Sequence, residues 1–153
     1  MPRVSEPGTA GRGAAGPAAF RVGVFAPAGP PVSRAGRLRR VEHVMGTVFS
    51  FDIRAEDTPG MRAAVEEAVD WLHRVDRLFS LYRPESQMSA LARGEVSVEE
   101  CDPLVAEVLA LCERARVRSG GWFSAVYAGG LDPTGLVKGW AVEHASRMLA
   151  TAG

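Results

Sequence analysis

The residues best placed to do chemistry lie in one run: Gly129-Gly130-Leu131-Asp132-Pro133-Thr134-Gly135-Leu136-Val137-Lys138-Gly139-Trp140-Ala141. It sets a carboxylate, a glycine-rich turn and a lysine immediately ahead of an amphipathic pattern. Lys138 is the sole lysine of the chain; every other strongly basic side chain is arginine. Gly129 and Gly130 permit backbone angles closed to other residues. Pro133 fixes its own φ and keeps Asp132 out of the α region. From Lys138 onward, Trp140, Ala141, His144, Ala145, Met148 and Leu149 recur at helical spacing, with Gly153 as a stop. A helix beginning between Gly135 and Gly139 presents unpaired N–H groups and a positive dipole end. A lysine beside them makes an anion site, for which phosphate is the usual occupant. The competing reading is a chance basic residue at a helix start. The run is not a P-loop, because Gly139 and Trp140 follow the lysine, and it lacks the G-x-G-x-x-G spacing of dinucleotide folds.

The rest of the chain must position that run. Its 153 residues suit one domain, and the net charge is zero, so nothing in the overall balance implies a nucleic-acid partner. Cys101 and Cys112 have no histidine or cysteine at zinc spacing, and Cys112 falls on the apolar side of a helix pattern as a buried free thiol. No apolar run is long enough for a transmembrane segment. Arg21, Pro27, Pro30 and Pro31 break up the N-terminal stretch as a secretory signal, and no cysteine precedes Val41 to carry a lipid. A cytoplasmic location is therefore expected.

Residues 1–40 are rich in Gly, Ala, Pro and Arg, with Glu6 the one acid, and predict a disordered arm. Order is expected over residues 41–153. His43 to Ile53 alternates as a single strand, with Met45, Phe49, Phe51 and Ile53 on one face and Gly46 marking a bulge or close approach. Thr58-Pro59-Gly60 opens a helix whose stripe is Met61, Val65, Ala68, Leu72, Val75 and Phe79. His73 falls among its polar positions. Pro84 closes that segment, and Ser86 or Ser89 suits a cap. Asp102-Pro103 starts a further helix with Leu104, Val105, Val108, Leu111, Cys112 and Ala115 inward, ended by Gly120 and Gly121. Trp122 to Tyr127 reads as a short extended piece. These elements predict an α+β fold: an incomplete mixed or antiparallel sheet packed by amphipathic helices. So little sheet cannot cover so many one-faced helices. Either this is the front part of a larger domain, or a second copy supplies the remaining strands, which makes a homodimer a further expectation.

Four pieces together resemble the FAD:protein FMN transferase (ApbE) family: Met45-Gly46-Thr47, then Phe79-Ser80-Leu81-Tyr82-Arg83-Pro84-Glu85-Ser86, then Gly120-Gly121-Trp122-Phe123, then Leu131 to Ala141. The likeness runs from about Val41 to Gly153 and covers the front half or so of the family's domain. It implies FAD as substrate, a Mg²⁺ ion, and transfer of the FMN half of FAD to a threonine of an acceptor flavoprotein, with AMP released. By resemblance, Met45 touches the flavin or adenine and Tyr82 stacks on a ring of FAD. Trp122, Phe123 and Ser124 wall the cleft, Asp132 hydrogen-bonds FAD, and Lys138 faces the same ligand. The Gly135 carbonyl is the implied metal ligand. Ser124 stands where the family commonly has aspartate. The family's aspartate and threonine metal ligands and its Asn-Ala-Gly-Gly-Asp segment have no counterpart here, so a shortened, non-catalytic flavin-binding module and an inactive fragment are the alternatives. The family's members are often exported, and its usual export signal has no counterpart here either.

Overall fold

A computed structural model describes residues 36–152. The expected disorder of residues 1–35 and the stop at Gly153 lie outside the described residues.

The chain enters as an antiparallel hairpin, β1 (Arg37–Val44) and β2 (Thr47–Arg54), with Arg40 opposite Phe51 and Glu42 opposite Phe49. Two expectations are corrected here. The single strand from His43 to Ile53 is two strands, because the backbone reverses at Met45 and Gly46, with φ of 52° and 66°. Two successive positive-φ residues make the tight hairpin turn whose twist matches the flanking strands. Gly46 therefore serves a turn, not a bulge. In addition, residues 37–40, grouped with the arm, form the first half of β1.

Charge at inward positions hid that strand. Leu38, Arg40, Glu42 and Val44 alternate toward the protein, opposite Ile53, Phe51, Phe49 and Thr47. Arg40 donates to Glu42 at 3.1 Å and lies 3.7 Å from Glu66. The Glu42 carboxylate also meets His73 Nε2 at 3.0 Å. The His73 hydrogen bond, helped by the charge of Arg40, holds the Glu42 carboxyl below its ordinary range. His73 thus ties the long first helix to β1.

That helix, α1 (Pro59–Phe79), starts as the sequence predicts: Thr58 Oγ1 accepts from the Met61 N–H at 3.1 Å, and Pro59 occupies the first turn. All six residues of its predicted stripe are buried. A short helix, α2 (Gln87–Ala92), is capped by Ser86, which accepts from the Ser89 N–H at 3.0 Å. The Ser86 and Ser89 hydroxyls both donate to the Ser80 carbonyl, at 2.7 and 3.2 Å, which staples the intervening loop. In α3 (Pro103–Arg118), Asp102 caps the Leu104 N–H at 3.0 Å and accepts from Arg74 at 2.8 Å. Val105, Val108 and Cys112 are buried, while Leu104, Leu111 and Ala115 are half-buried. Burial pushes the Cys112 thiol up. Gly120 and Gly121, at φ of 62° and 89°, end this helix.

Of the extended piece expected at Trp122 to Tyr127, only β3 (Val126–Tyr127) is strand; it pairs with β4 (Gly130–Leu131). The last helix, α4 (Thr134–Ala152), begins one turn earlier than Lys138. Its start is set by Asp132, whose carboxylate accepts from the Thr134 N–H at 2.9 Å and hydroxyl at 2.6 Å. The Pro133 carbonyl receives the Leu136 and Val137 N–H groups at 2.9 and 3.1 Å.

The fold is α+β, with two small antiparallel sheets and no mixed sheet among the described residues. The core lies where α1 packs on α4, closed by the hairpin on one side and by α2 and α3 on the other. Trp71 stacks on His144 with ring centres 4.3 Å apart and donates its indole N–H to the Ala141 carbonyl at 3.0 Å. Trp140 lies edge-on to Phe79 and donates to Glu107 of α3 at 3.1 Å.

Candidate functional site

A cleft of ≈ 530 Å³ opens where four segments meet. The hairpin turn brings Met45 and Gly46. The last turns of α1 bring Val75, Asp76 and Phe79, and the loop after them Ser80 to Arg83. The first turns of α4 add Thr134, Val137 and Lys138. Its deep side is apolar: Val75, Phe79 and Val137 are all nearly fully buried. Tyr82 stands at the rim, 96% exposed.

Met45 occupies a costly position. A non-glycine residue in the left-handed region gives up about 1 kcal/mol, and Asn or Gly is the usual occupant. The strain falls at a residue that lines the cleft. Such outliers gather where a side chain is needed more than an unstrained backbone.

The expected site residues divide into two groups. Met45, Tyr82 and Lys138 come from separate elements and line the one cleft. Trp122, Phe123, Ser124, Asp132 and Gly135 do not line it. Trp122 is 95% exposed, carried outward after the two left-handed glycines. Phe123 is half-buried against the core, its N–H donating to Ser119 Oγ at 2.9 Å. The Ser124 hydroxyl is spent locally, donating to the Val126 carbonyl at 2.8 Å and accepting from the Val126 N–H at 3.1 Å. Asp132 is exposed and committed to Thr134. The positive end of α4, expected to be open to an anion, therefore already holds a carboxylate of this chain. Lys138 sits a turn further in and is exposed on the cleft wall.

Sequence reasoning missed Asp76 and Arg83, which both line the cleft. Arg83 Nε donates to Asp76 Oδ2 at 2.9 Å, and the Asp76 side chain is only 13% exposed. One signal pointed to Asp76: it lies in the last turn of a helix, where the dipole disfavours a carboxylate.

The described residues do not fit the metal. No group of three or more His, Cys, Asp or Glu among them is arranged to hold an ion. Asp76, the one carboxylate on the cleft among the described residues, is engaged by Arg83. Gly135 lies within α4, where helix geometry directs its carbonyl along the axis toward the Gly139 N–H. Mg²⁺ demands near-octahedral oxygen donors, generally including a carboxylate.

The volume and apolar lining of this cleft, in an α+β fold, are those of a small-molecule site. The profile of the ApbE family matches residues 45–129, more than half of the chain. The chain belongs to the ApbE family, a family of transferases associated with flavin handling. The match takes in Met45, Tyr82 and the residues from Trp122 to Ser124, and ends before Asp132, Gly135 and Lys138. No curated protein and no solved structure matches the chain. Among the described residues, no helix is long and apolar enough to cross a membrane.

Proposed function

We propose that this chain binds FAD in the cleft between the hairpin turn, the α1–α2 loop and α4, and serves transfer of the FMN half of FAD to a threonine hydroxyl of an acceptor flavoprotein, with AMP leaving. One observation carries the reading: Met45, Tyr82 and Lys138, distant in sequence, line a single cleft in a member of the ApbE family. Its apolar deep side suits an aromatic ring system. Tyr82 offers a stacking face at the rim, and Lys138 offers a cation to a phosphate. The chemistry these residues can supply is binding and orientation, holding the diphosphate in reach of an incoming hydroxyl.

The resemblance also implies Mg²⁺, which when bound polarises a phosphoryl oxygen. The described residues do not compose its site. That same observation favours a second reading, a flavin-binding module without transfer activity. A homodimer and an acceptor flavoprotein are the partners proposed.

The test has two parts. FAD is titrated into the chain and into Tyr82→Ala, and the chain is then incubated with FAD, Mg²⁺ and a threonine-bearing acceptor. Binding with a covalent flavin on the acceptor is the expected result. Binding without the adduct selects the module. FAD affinity untouched in Tyr82→Ala refutes the placement of the ligand, since a side chain so exposed has little other work to do.

A further inference from the structure

We propose that Arg83 is the anion-binding side chain of the cleft and that Asp76 holds it in position for the diphosphate of a dinucleotide ligand. The inference rests on the flavin-nucleotide reading above and extends it to two residues that reading does not use.

Arg83 spends few of its donors among the described residues. Nε donates to Asp76 Oδ2 at 2.9 Å. Nη1 lies 3.5 Å from Glu85 Oε1, a pair whose carboxylate side chain is 70% exposed and which therefore contributes little. Neither Nη group makes a hydrogen bond among the described residues. One edge of a planar guanidinium is thus anchored while the other keeps its donors for a guest. That arrangement suits a phosphate, which an arginine fork meets with two parallel bonds.

The anchor itself needs explaining. Asp76 is mostly buried, lies in the final turn of α1 where the helix dipole opposes its charge, and has Arg83 as its one ion-pair partner among the described residues. Orienting Arg83 accounts for all three facts. The backbone under Arg83 is also fixed: the Ser86 N–H donates to the Arg83 carbonyl at 3.0 Å, and the two serine hydroxyls hold the Ser80 carbonyl. The backbone and the Nε edge of Arg83 are thus both held before a ligand arrives. Asp76 neutralises one cation of the cleft, and Lys138 leaves it one positive charge in excess.

The experiment titrates FAD, ADP and riboflavin into the full chain, Arg83→Gln, Arg83→Lys and Asp76→Asn. FAD and ADP carry the diphosphate; riboflavin does not. Arg83→Gln is expected to weaken FAD and ADP by about tenfold to a hundredfold, the range for hydrogen bonds to charged groups. Riboflavin binding should stay unchanged, which also reports that the cleft is still folded. Arg83→Lys should recover part of the loss. Asp76→Asn should weaken FAD less than Arg83→Gln does, with riboflavin again unaffected. Arg83→Gln binding FAD as tightly as the parent, or losing riboflavin equally, overturns the assignment of Arg83. Unchanged FAD affinity in Asp76→Asn overturns the orienting role. If the parent binds ADP in an Arg83-dependent way but neither flavin, the flavin reading fails and the anion site stands. If it binds none of the three, both fall.

Discussion

Leu72→Ala gives the sharpest test of how the cleft is supported, because its magnitude depends on a particular detail of the packing. Leu72 is 1% exposed at the centre of α1. It also borders a shallow groove of ≈ 140 Å³, shared with Phe49, Phe51, Val142, Ala145 and Leu149. Truncation to alanine removes three buried carbons, each contributing about 0.8 kcal/mol by transfer from water, for a loss of about 2.4 kcal/mol. In a sealed core, the void left behind raises the total toward about 5 kcal/mol. Here the vacated space joins a groove that solvent already reaches, so the void contribution is small and the expected loss is about 2.5 kcal/mol. For a domain of this size that lowers the melting temperature by about 10–15 °C. Urea denaturation followed by circular dichroism reads the loss as a lower midpoint at unchanged slope. A loss below about 1 kcal/mol would remove Leu72 from the core. One above about 4 kcal/mol would show that the groove is closed and that the hairpin presses more tightly on α4 than the geometry states.

Two other perturbations separate binding from folding. Met45→Asn relieves about 1 kcal/mol of left-handed strain but gives up a half-buried thioether of similar worth, so stability should hold within about 0.5 kcal/mol while FAD affinity falls several-fold; unchanged affinity at unchanged melting temperature would take Met45 out of the site. Asp102 tests the pH dependence: its carboxyl is held below its ordinary value of 3.8 by the Arg74 hydrogen bond first and the Leu104 N–H second. A depressed carboxyl contributes stability that is present above the unfolded-state value and is lost as pH falls through the folded one. The gap in stability between the parent and Asp102→Asn, measured by chemical denaturation, should therefore be full at pH 7 and shrink below about pH 4; a gap that is flat or widens toward pH 3 contradicts the ion-pair and cap assignment.

The helices were legible because their signals are local. Thr58-Pro59 and Asp102-Pro103 each place a capping oxygen and a proline within two residues, and the α1 stripe repeats without interruption. The hairpin was not legible. Its turn rests on a methionine with positive φ, which no propensity predicts, and its first strand carries Arg40 and Glu42 where apolar residues were sought. Those charges make sense only once His73 and Glu66 are brought beside them from α1. The cleft was read in part. Met45, Tyr82 and Lys138 fall on it, but Asp76 and Arg83 become partners only when the chain bends through Ser80. Asp132 lies off the cleft for a short-range reason: a short carboxylate beside a proline turn reaches the N–H two residues on.

The two indoles anchored to or on α4 decide which wall of the cleft can move. Trp71 clasps the Ala141 carbonyl, and Trp140, two residues beyond Lys138, reaches across to Glu107. Rolling α4 about its axis breaks both tethers at once, so the helix that carries Lys138 acts as a fixed jaw. Accommodation of a guest would fall to Tyr82, which projects into solvent with few neighbours to displace.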